Sequence, residues 1–377
     1  MKMKNLFFTL LMLFGIATVP AMAQETPSAT ADSETLVLTL EQALEIALSE
    51  NPTVKIADET IQAKKYAKKG TYAALWPDIS ASGSFQRYIE KPSFHIMGQT
   101  VKMGTTNTVS GGLQAAMPLV NAQLWKSLKL SAMDVELAVE QARSSRIDMI
   151  EQVSKAFYQV LLAKDSYEVY KRVYDNAVEN HKIVEKKYAV GAVSEYDFIR
   201  SKVTVSNAEP NVFEAENSII VALWQMKALL GLDLDRKIDC AGKLADYESA
   251  MSARIDTPTT LANNSTMRQF DIQERMLNQS LKMQRATNLP SLNASINYMV
   301  NAMDESLALA HYKWMGSSTA LVSLSVPIFS GGKRRAAINQ AKINLTTLQL
   351  QRENTERQLH TAIMQYESSM QTSLKQY

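Results

Sequence analysis

Few side chains in this sequence have the types and spacing that catalysis or metal binding requires. The four histidines, His95, His181, His311 and His360, have no acid, base or nucleophile at a recognisable spacing, so the sequence predicts that the protein is not an enzyme. The single cysteine, Cys240, cannot form an internal disulfide, and one thiol among scattered histidines does not make a metal site. We therefore predict no cofactor and no metal, and a structural or incidental role for Cys240.

The remaining candidate for ligand chemistry is the segment Gly331-Gly332-Lys333, which could cradle a phosphate. It lacks the spacing of a Walker loop, and it precedes a long stretch without proline, so we interpret it as the start of a helix. Charge gives no case for nucleic acid either. The chain has 40 Lys and Arg residues and 38 Asp and Glu residues, a net charge of +2, and neither sign forms a block long enough for a strong field.

The first residues indicate export from the cytoplasm. Two lysines precede the mostly apolar segment 6–16, and Ala21-Met22-Ala23 has the small-x-small pattern of a cleavage site. Residues 1–23 are therefore predicted to be a signal peptide. After them, no uninterrupted apolar run approaches the ~20 residues of a transmembrane helix, so any part that spans a membrane must do so with strands.

The element that dominates the chain is a predicted helix over residues 124–188, where no proline or glycine interrupts. Apolar side chains recur at alternating steps of four and three, and only Arg146 and His181 break this pattern. Such a repeat indicates a supercoiled helix that packs against other helices. At about 1.5 Å per residue, the helix would be roughly 100 Å long.

A tight turn is predicted at the end of this helix. Gly191 suits a left-handed helix end, and Ser194 with Asp197 forms an acidic variant of the capping box for a return helix over 194–230. Pro210 should kink that helix or end it early. A helical turn alone explains this local chemistry, but its position at the end of a long rod makes it a natural docking point for a partner.

Two stretches before the long helix have the period of β-strands. Residues 79–85 carry apolar or small side chains at odd positions and serines between them, and residues 109–117 also alternate, with an exposed loop predicted for 90–107. Each strand thus has one apolar or small-residue face and one mostly polar face. Alternation alone leaves two interpretations open, a transmembrane barrel or a soluble sheet that packs its apolar face on the helices.

The same order of helix, strand, loop, strand and long helix occurs twice. Asn51 and Asn264, 213 positions apart, each open a predicted helix, and the proline that ends each helix is repeated at the same spacing. We predict a first structural repeat over residues 24–257 and a second over 258–377. The second copy has no counterpart of the glycine turn and return helix and is predicted to be incomplete. Either the sequence is a fragment, which we favour, or the protein lacks half of one hairpin.

Strands of about ten residues with one apolar face can cross a membrane in a barrel, where every strand needs a neighbour on both sides. This chain supplies four, whereas the smallest single-chain barrels use eight, so several copies must pool their strands. Aromatic and cationic side chains lie where strands meet helices, and either a membrane interface or ordinary helix surface explains them. These interface candidates are Trp76, Trp125, Lys126, Phe329, Lys333, Arg334 and Arg335.

The ordered motifs of this chain resemble those of the TolC-like outer-membrane efflux family. The matching motifs are Leu40-Glu41-Gln42-Ala43-Leu44, Asn51-Pro52, Leu75-Trp76-Pro77-Asp78-Ile79, Tyr188-Ala189-Val190-Gly191, Asn288-Leu289-Pro290-Ser291-Leu292 and Val326-Pro327-Ile328-Phe329-Ser330-Gly331-Gly332. The resemblance covers nearly all of the mature chain. It implies a mainly α fold with a small β part, long antiparallel coiled-coil hairpins and two β-hairpins. It also implies a homotrimer whose protomers each contribute four strands to one transmembrane barrel.

The resemblance further implies an outer-membrane exit duct of a tripartite efflux or type I secretion system, which passively conducts cargo from an inner-membrane pump. The implied partners are a periplasmic adaptor protein, the inner-membrane transporter and outer-membrane lipid. A non-pore periplasmic coiled-coil tether is the alternative, because it would keep the helices but not the lipid-facing strands. By analogy with the family, the adaptor-facing tip consists of Val190, Gly191, Ala192, Ser194 and Asp197.

Overall fold

The structure is a computed structural model, and it describes residues 35–96, 99–247, 261–307 and 312–376. The predicted signal peptide and the predicted boundary between the repeats lie outside these residues. The helices are α1 (Leu40–Glu50), α2 (Pro52–Ala73), α3 (Ala122–Ala189), α4 (Glu195–Leu230), α5 (Ser265–Ala286) and α6 (Lys333–Gln376). The strands are β1 (Leu36–Leu38), β2 (Asp78–Arg87), β3 (Ser93–Ile96), β4 (Gln99–Lys102), β5 (Asn107–Val120), β6 (Ile238–Cys240), β7 (Ser291–Asp304) and β8 (Lys313–Ser325).

Side-chain caps fix where the shorter helices begin. The Thr39 hydroxyl accepts a hydrogen bond from the Gln42 backbone N–H at 3.3 Å, and the Gln42 side chain accepts one from the Thr39 N–H at 3.0 Å, which completes a capping box for α1. Helices α2 and α5 both have 22 residues, and an asparagine caps each of them. Helix α2 ends at Ala73, where a tight turn precedes Pro77.

The long helix predicted over 124–188 is confirmed as α3, which has 68 residues and is about 100 Å long. Helix α4 packs along it. The early end considered for α4 at Pro210 is wrong, because the helix continues through this proline. Ala208 and Ala215, on either side of it, are buried, and their packing supports the helix where the proline N–H is missing.

The two residues that interrupt the apolar pattern of α3 reach across to other helices. The Arg146 guanidinium forms an ion pair with Asp58 of α2 at 2.5 Å. The His181 ring nitrogen Nδ1 lies 2.8 Å from the Ser201 hydroxyl of α4, and that hydroxyl donates to the Phe198 carbonyl. The hydroxyl therefore accepts from His181, and both exceptions to the pattern fix a neighbouring helix.

The hydrophobic core lies at the middle of α3. Phe157 and Leu161 are buried there against Met226 and Leu230 of α4 and against Leu38 of β1. A short parallel ribbon, in which β1 pairs with β6, closes this core. Neither of these three-residue strands is visible in the sequence periodicity, since each is too short to show a period.

Cys240 lies at the end of this ribbon and is 3% exposed. Burial raises the pKa of its thiol from 9.0 to about 11, so the group stays protonated at neutral pH. Its backbone carbonyl accepts a hydrogen bond from the Lys164 ammonium at 2.8 Å. These contacts give Cys240 a place in the core of the protein.

Asn51 joins three helices near this core. Its side-chain oxygen accepts from the Thr53 N–H at 2.7 Å and caps α2, while its amide donates to the Leu229 carbonyl at the end of α4, also at 2.7 Å. Gly231 ends α4 with a positive φ of 68°, and a β-carbon there would lie 3.0 Å from the Glu50 carbonyl oxygen. Only glycine allows the ends of α1 and α4 to come this close.

Four of the remaining strands form one antiparallel sheet in the order β2-β5-β7-β8. The strands predicted in the two halves of the chain are thereby neighbours. The loop predicted over 90–107 is partly wrong, because β3 and β4 form a separate two-stranded ribbon there. Within the described residues, no helix is both long and apolar enough to cross a membrane.

Candidate functional site

The four-stranded sheet places most of its apolar side chains on one face. Paired residues in neighbouring strands share a face, and the register aligns Ile79, Ala115, Ile296 and Ala320 in one row across all four strands. A second row on this face, nearer the distant end of the sheet, contains Phe85, Val109, Ala302 and Trp314. The predicted alternation thus extends over the whole sheet.

The opposite face is lined mainly by small and polar side chains. One residue along each strand from the first apolar row, the register aligns Ser80, Gln114, Asn297 and Thr319. Hydroxyl and amide groups suit an aqueous surface better than hydrocarbon. The two faces of the sheet therefore suit two different solvents.

The apolar face is uncovered in the described part of the chain. Ile79 is 74% exposed and Ile296 is 62% exposed, although both are large apolar residues. The alternative interpretation of a soluble sheet that packs its apolar face on the helices is therefore wrong. An apolar surface of this size on a sheet marks a contact with lipid or with another protein.

Both outer strands of the sheet have a free edge. Among the described strands, β2 pairs only with β5 and β8 pairs only with β7. All ten residues of β2 and all thirteen of β8 are exposed. Long, flat edges of this kind are templates for pairing with another strand.

The interface candidates, Arg335 included, all lie at one end of this sheet. The start of β2, the end of β5, the start of β7 and the end of β8 meet there, as the pairing of Ser291 with Ser325 shows. Trp76 precedes β2, and Trp125 and Lys126 lie in the first turn of α3 after β5. Phe329, Lys333 and Arg334 follow β8. Trp76, Trp125 and Phe329 are exposed.

Arg334 also forms hydrogen bonds that the sequence did not indicate. Its guanidinium donates to the Pro327 carbonyl at 2.9 Å and to the Ser330 hydroxyl at 3.0 Å. It thereby holds the turn in which Gly331 and Gly332 both have positive φ values of 57° and 84°. The two glycines form the connection from β8 to α6, as the sequence predicted.

The distant end of the sheet carries a polar cluster around Glu305. Its carboxylate pairs with the Lys91 ammonium at 2.5 Å and accepts a hydrogen bond from Thr106. These contacts hold the pKa of Glu305 below its usual value. The buried Asn107 amide donates to the Glu305 and Ser306 carbonyls at 3.2 and 3.0 Å. The loops that follow β2 and β7 are therefore tied together.

The tip of the helical hairpin is built by local contacts. Gly191 has a φ of 73°, and no atom lies within 4 Å of a β-carbon placed there, so the backbone angle alone favours glycine. The Ser194 hydroxyl accepts from the Asp197 N–H at 3.1 Å, as predicted, but it donates to the Asp197 carboxylate at 2.7 Å. The second half of the predicted capping box is thus replaced by this contact.

Two tip features were missed by the sequence reasoning. Tyr188 and Phe198 stack with ring centroids 4.9 Å apart, which joins the last turn of α3 to the first turn of α4. Val190 is 78% exposed and Tyr196 is 70% exposed. The stacking partners are ten residues apart on different helices, so only the folded hairpin brings them together.

Comparison with known proteins places the chain in a family. The model of the family described as outer membrane efflux protein matches residues 43–232 and 258–377. The chain therefore belongs to the outer membrane efflux protein family, and the predicted resemblance and the predicted location at the cell outer membrane are confirmed. This family consists of channel proteins rather than enzymes.

Two curated relatives share this similarity. The chain is 24% identical over 313 residues to the probable efflux pump outer membrane protein TtgC of Pseudomonas putida KT2440, an alignment that covers 81% of this chain and 62% of that protein. It is 22% identical over 311 residues to the alkaline protease secretion protein AprF of Pseudomonas aeruginosa PAO1, with coverage of 78% and 62%. The chain thus spans about three fifths of the length of these relatives.

A solved structure shows the same fold. The outer membrane channel CmeC of Campylobacter jejuni is 16% identical in sequence and superposes with a TM-score of 0.67, over 94% of this chain and 78% of that one. The predicted fold class, mainly α with long helical hairpins and a small β part, is confirmed.

Proposed function

We propose that three copies of this chain form an outer-membrane exit duct, in which their sheets join into one 12-stranded transmembrane barrel. The observation that carries this proposal is a four-stranded sheet with an uncovered apolar face and two free edges. In hydrocarbon, every strand needs a hydrogen-bonded neighbour on both sides, and β2 and β8 lack one in the single chain. Pairing β8 of one copy with β2 of the next gives each of these two strands its missing neighbour.

The number of copies follows from the width of the pore. Two copies would provide eight strands, and an eight-stranded barrel is just wide enough for its own side chains. Three copies provide 12 strands and leave space inside, where the row of Ser80, Gln114, Asn297 and Thr319 lines the lumen. The apolar row with Ile79 and Ile296 then faces lipid.

In this proposal, the helices continue the barrel as a tunnel across the periplasm. Ion pairs support their packing: Arg352 of α6 contacts Asp271 of α5 at 2.8 Å, and Arg275 of α5 contacts Glu136 of α3. The duct is passive, and an inner-membrane transporter, coupled through a periplasmic adaptor protein, provides the energy. Relatives named for efflux and for protein secretion support a role in either an efflux system or a secretion system.

The proposal assigns roles to two sets of residues, one beside the sheet and one at the tip of the helical hairpin. Trp76, Trp125, Lys126, Phe329, Lys333 and Arg334 form the membrane interface, and Val190, Gly191, Ala192, Ser194 and Asp197 form the adaptor-facing tip. The two repeats, residues 24–257 and 258–377, are supported by the matching lengths of α2 and α5 and by their identical spacing from β2 and β7. Each repeat contributes one pair of strands to the sheet.

Single-channel recording in planar bilayers tests this function. The detergent-extracted protein is expected to conduct ions, and Asn297→Asp is expected to raise the preference for cations because the new charge faces the lumen. Asn297→Ser is the matched control, since it removes the amide without adding charge. A protein that stays soluble without detergent and does not conduct would support the periplasmic tether instead.

A further inference from the structure

Four helical segments next to the sheet carry positive charge only. Segments 61–77, 122–133, 276–290 and 326–351 contain no aspartate, glutamate or histidine. They contain twelve Lys and Arg residues, which leaves 28 against 38 acidic residues in the rest of the chain. We call these twelve residues the basic belt: Lys64, Lys65, Lys68, Lys69, Lys126, Lys129, Lys282, Arg285, Lys333, Arg334, Arg335 and Lys342.

The fold brings these segments to one level of the molecule. Each segment adjoins the same end of the sheet, and all twelve cations lie within about 20 Å of that end along the helices. Helix α3 packs against both α2 and α5, and α6 packs against α5. The Gln279 side chain of α5 donates to the Lys126 carbonyl of α3 at 2.9 Å, which joins two of the segments directly. The belt is therefore continuous across four helices, although it is dispersed in the sequence.

The belt is not neutralised by the chain itself. Arg334 donates to two oxygens of its own turn, and no cation of the belt forms a salt bridge with any residue that the structure describes. Ten of the twelve side chains belong to exposed residues, and Lys68 and Arg334 are half-buried. Like charges at this density repel one another, so the surface is suited to an anionic partner.

Aromatic residues fix the depth at which that partner lies. On α2, Lys65, Lys69 and Tyr72 follow at steps of four and three on one face, and Trp76 comes next toward the sheet. On α3, Trp125 is nearer the sheet and Lys129 is one turn farther away on the same face. Both helices thus place an aromatic ring at the apolar sheet and a cation beyond it. This is the order of hydrocarbon edge and headgroup in a membrane.

We propose that the basic belt binds the phosphate groups of anionic phospholipids in the leaflet from which the helices emerge. The inference rests on the proposed function, since it requires that the sheet lie in the membrane. It adds a preferred lipid class, because a zwitterionic headgroup lacks the net charge that the belt complements. The attraction corresponds to about a fivefold gain in affinity per cation near an anionic surface.

Brominated phospholipids and tryptophan fluorescence test this inference. The chain has four tryptophans, and Trp224→Phe with Trp314→Phe leaves only Trp76 and Trp125, both beside the belt. The full protein is reconstituted in vesicles of brominated phosphatidylglycerol or brominated phosphatidylcholine mixed with unbrominated lipid. Quenching then gives the relative affinity for the two headgroups. We expect a preference of several fold for phosphatidylglycerol that disappears in 1 M salt.

Charge removal identifies the residues responsible. In this two-tryptophan background, Lys65→Gln with Lys69→Gln and Lys129→Gln is expected to remove most of this preference. The matched control replaces three lysines of α3 far from the sheet, Lys171, Lys182 and Lys186, with glutamine and is expected to leave the preference unchanged.

Three results would overturn the inference. Equal quenching by both lipids would leave the membrane position, and therefore the proposed function, intact but would remove the headgroup preference. A change in the anion-over-cation conductance ratio of the belt variant, with its lipid preference unchanged, would place these cations in the pore. The absence of quenching by either lipid would show that Trp76 and Trp125 are not in a membrane and would refute the proposed function as well.

Discussion

The sheet offers a sharp test at two neighbouring residues of β7. Ile296 lies on the apolar face between Ala115 and Ala320, and Asn297 lies on the polar face between Gln114 and Thr319. We consider Ile296→Arg and Asn297→Arg, which add the same side chain to the same strand on opposite faces. In the isolated chain, an arginine at 296 would enter open space, because Ile296 is 62% exposed.

In the proposed barrel, the expected loss of stability follows from the depth of Ile296 in the membrane. Ile296 is five steps from Ser291 at the start of β7, or about 17 Å along the strand at ~3.4 Å per residue. A tilt of about 45° turns this into roughly 12 Å, close to the middle of a ~30 Å hydrocarbon layer. Arginine on the lipid face at that depth costs about 2–4 kcal/mol per protomer, whereas lumen substitutions cost little.

Unfolding in lipid vesicles measures the difference. Both variants and the parent protein are titrated with denaturant in vesicles, and the free energy of unfolding is compared. We expect Ile296→Arg to be about 2–4 kcal/mol less stable per protomer than Asn297→Arg. In a water-exposed sheet, both substitutions would change stability by no more than about 0.5 kcal/mol. Equal stability of the two variants, or a larger loss for Asn297→Arg, would refute the assignment of the faces.

Three further outcomes are expected. Asn51→Ala should lower the free energy of unfolding by about 2–3 kcal/mol, because it removes a helix cap and the donor to the Leu229 carbonyl. Asn264→Ala removes only a cap and should lower it by about 1 kcal/mol in the same thermal unfolding assay. Gly191→Ala should destabilise the tip by about 1 kcal/mol because of its positive φ, and faster amide hydrogen exchange confined to the tip would show this; unchanged exchange would contradict it. The Cys240 thiol, with its pKa raised from 9.0 to about 11, should react with iodoacetamide at pH 8 about 100-fold more slowly in the folded protein than after denaturation, and equal rates would contradict its burial.

Regular periodicity made much of the fold predictable. Helix α3 and the strands of the large sheet have long, uninterrupted patterns of 3.5 and two residues, so their existence follows from the sequence alone. The ribbon of β1 and β6 could not be found this way, because Leu36 and Ile238 pair across about 200 positions in strands of three residues. At Pro210 the sequence indicated a break that is absent, since the packing of buried alanines outweighs the local effect of the proline on α4.

The candidate sites were partly visible for the same reason. The turn at Gly191 and Ser194 follows local rules of helix ends, so the sequence indicated it. The basic belt was hidden, because each helix contributes only a few cations and no charge block appears in the sequence. Its continuity depends on the sheet, which brings the ends of four helices together.

The position of the hydrophobic core has a consequence for how such a chain can diversify. Phe157 and its buried neighbours hold α1, α3 and α4 together at mid-length, whereas side chains near the tip, such as Val190 and Tyr196, are solvated. Replacing them leaves the hydrophobic core untouched and alters little but surface chemistry. If the tip binds an adaptor as proposed, its specificity can therefore change during evolution while the scaffold itself stays constant.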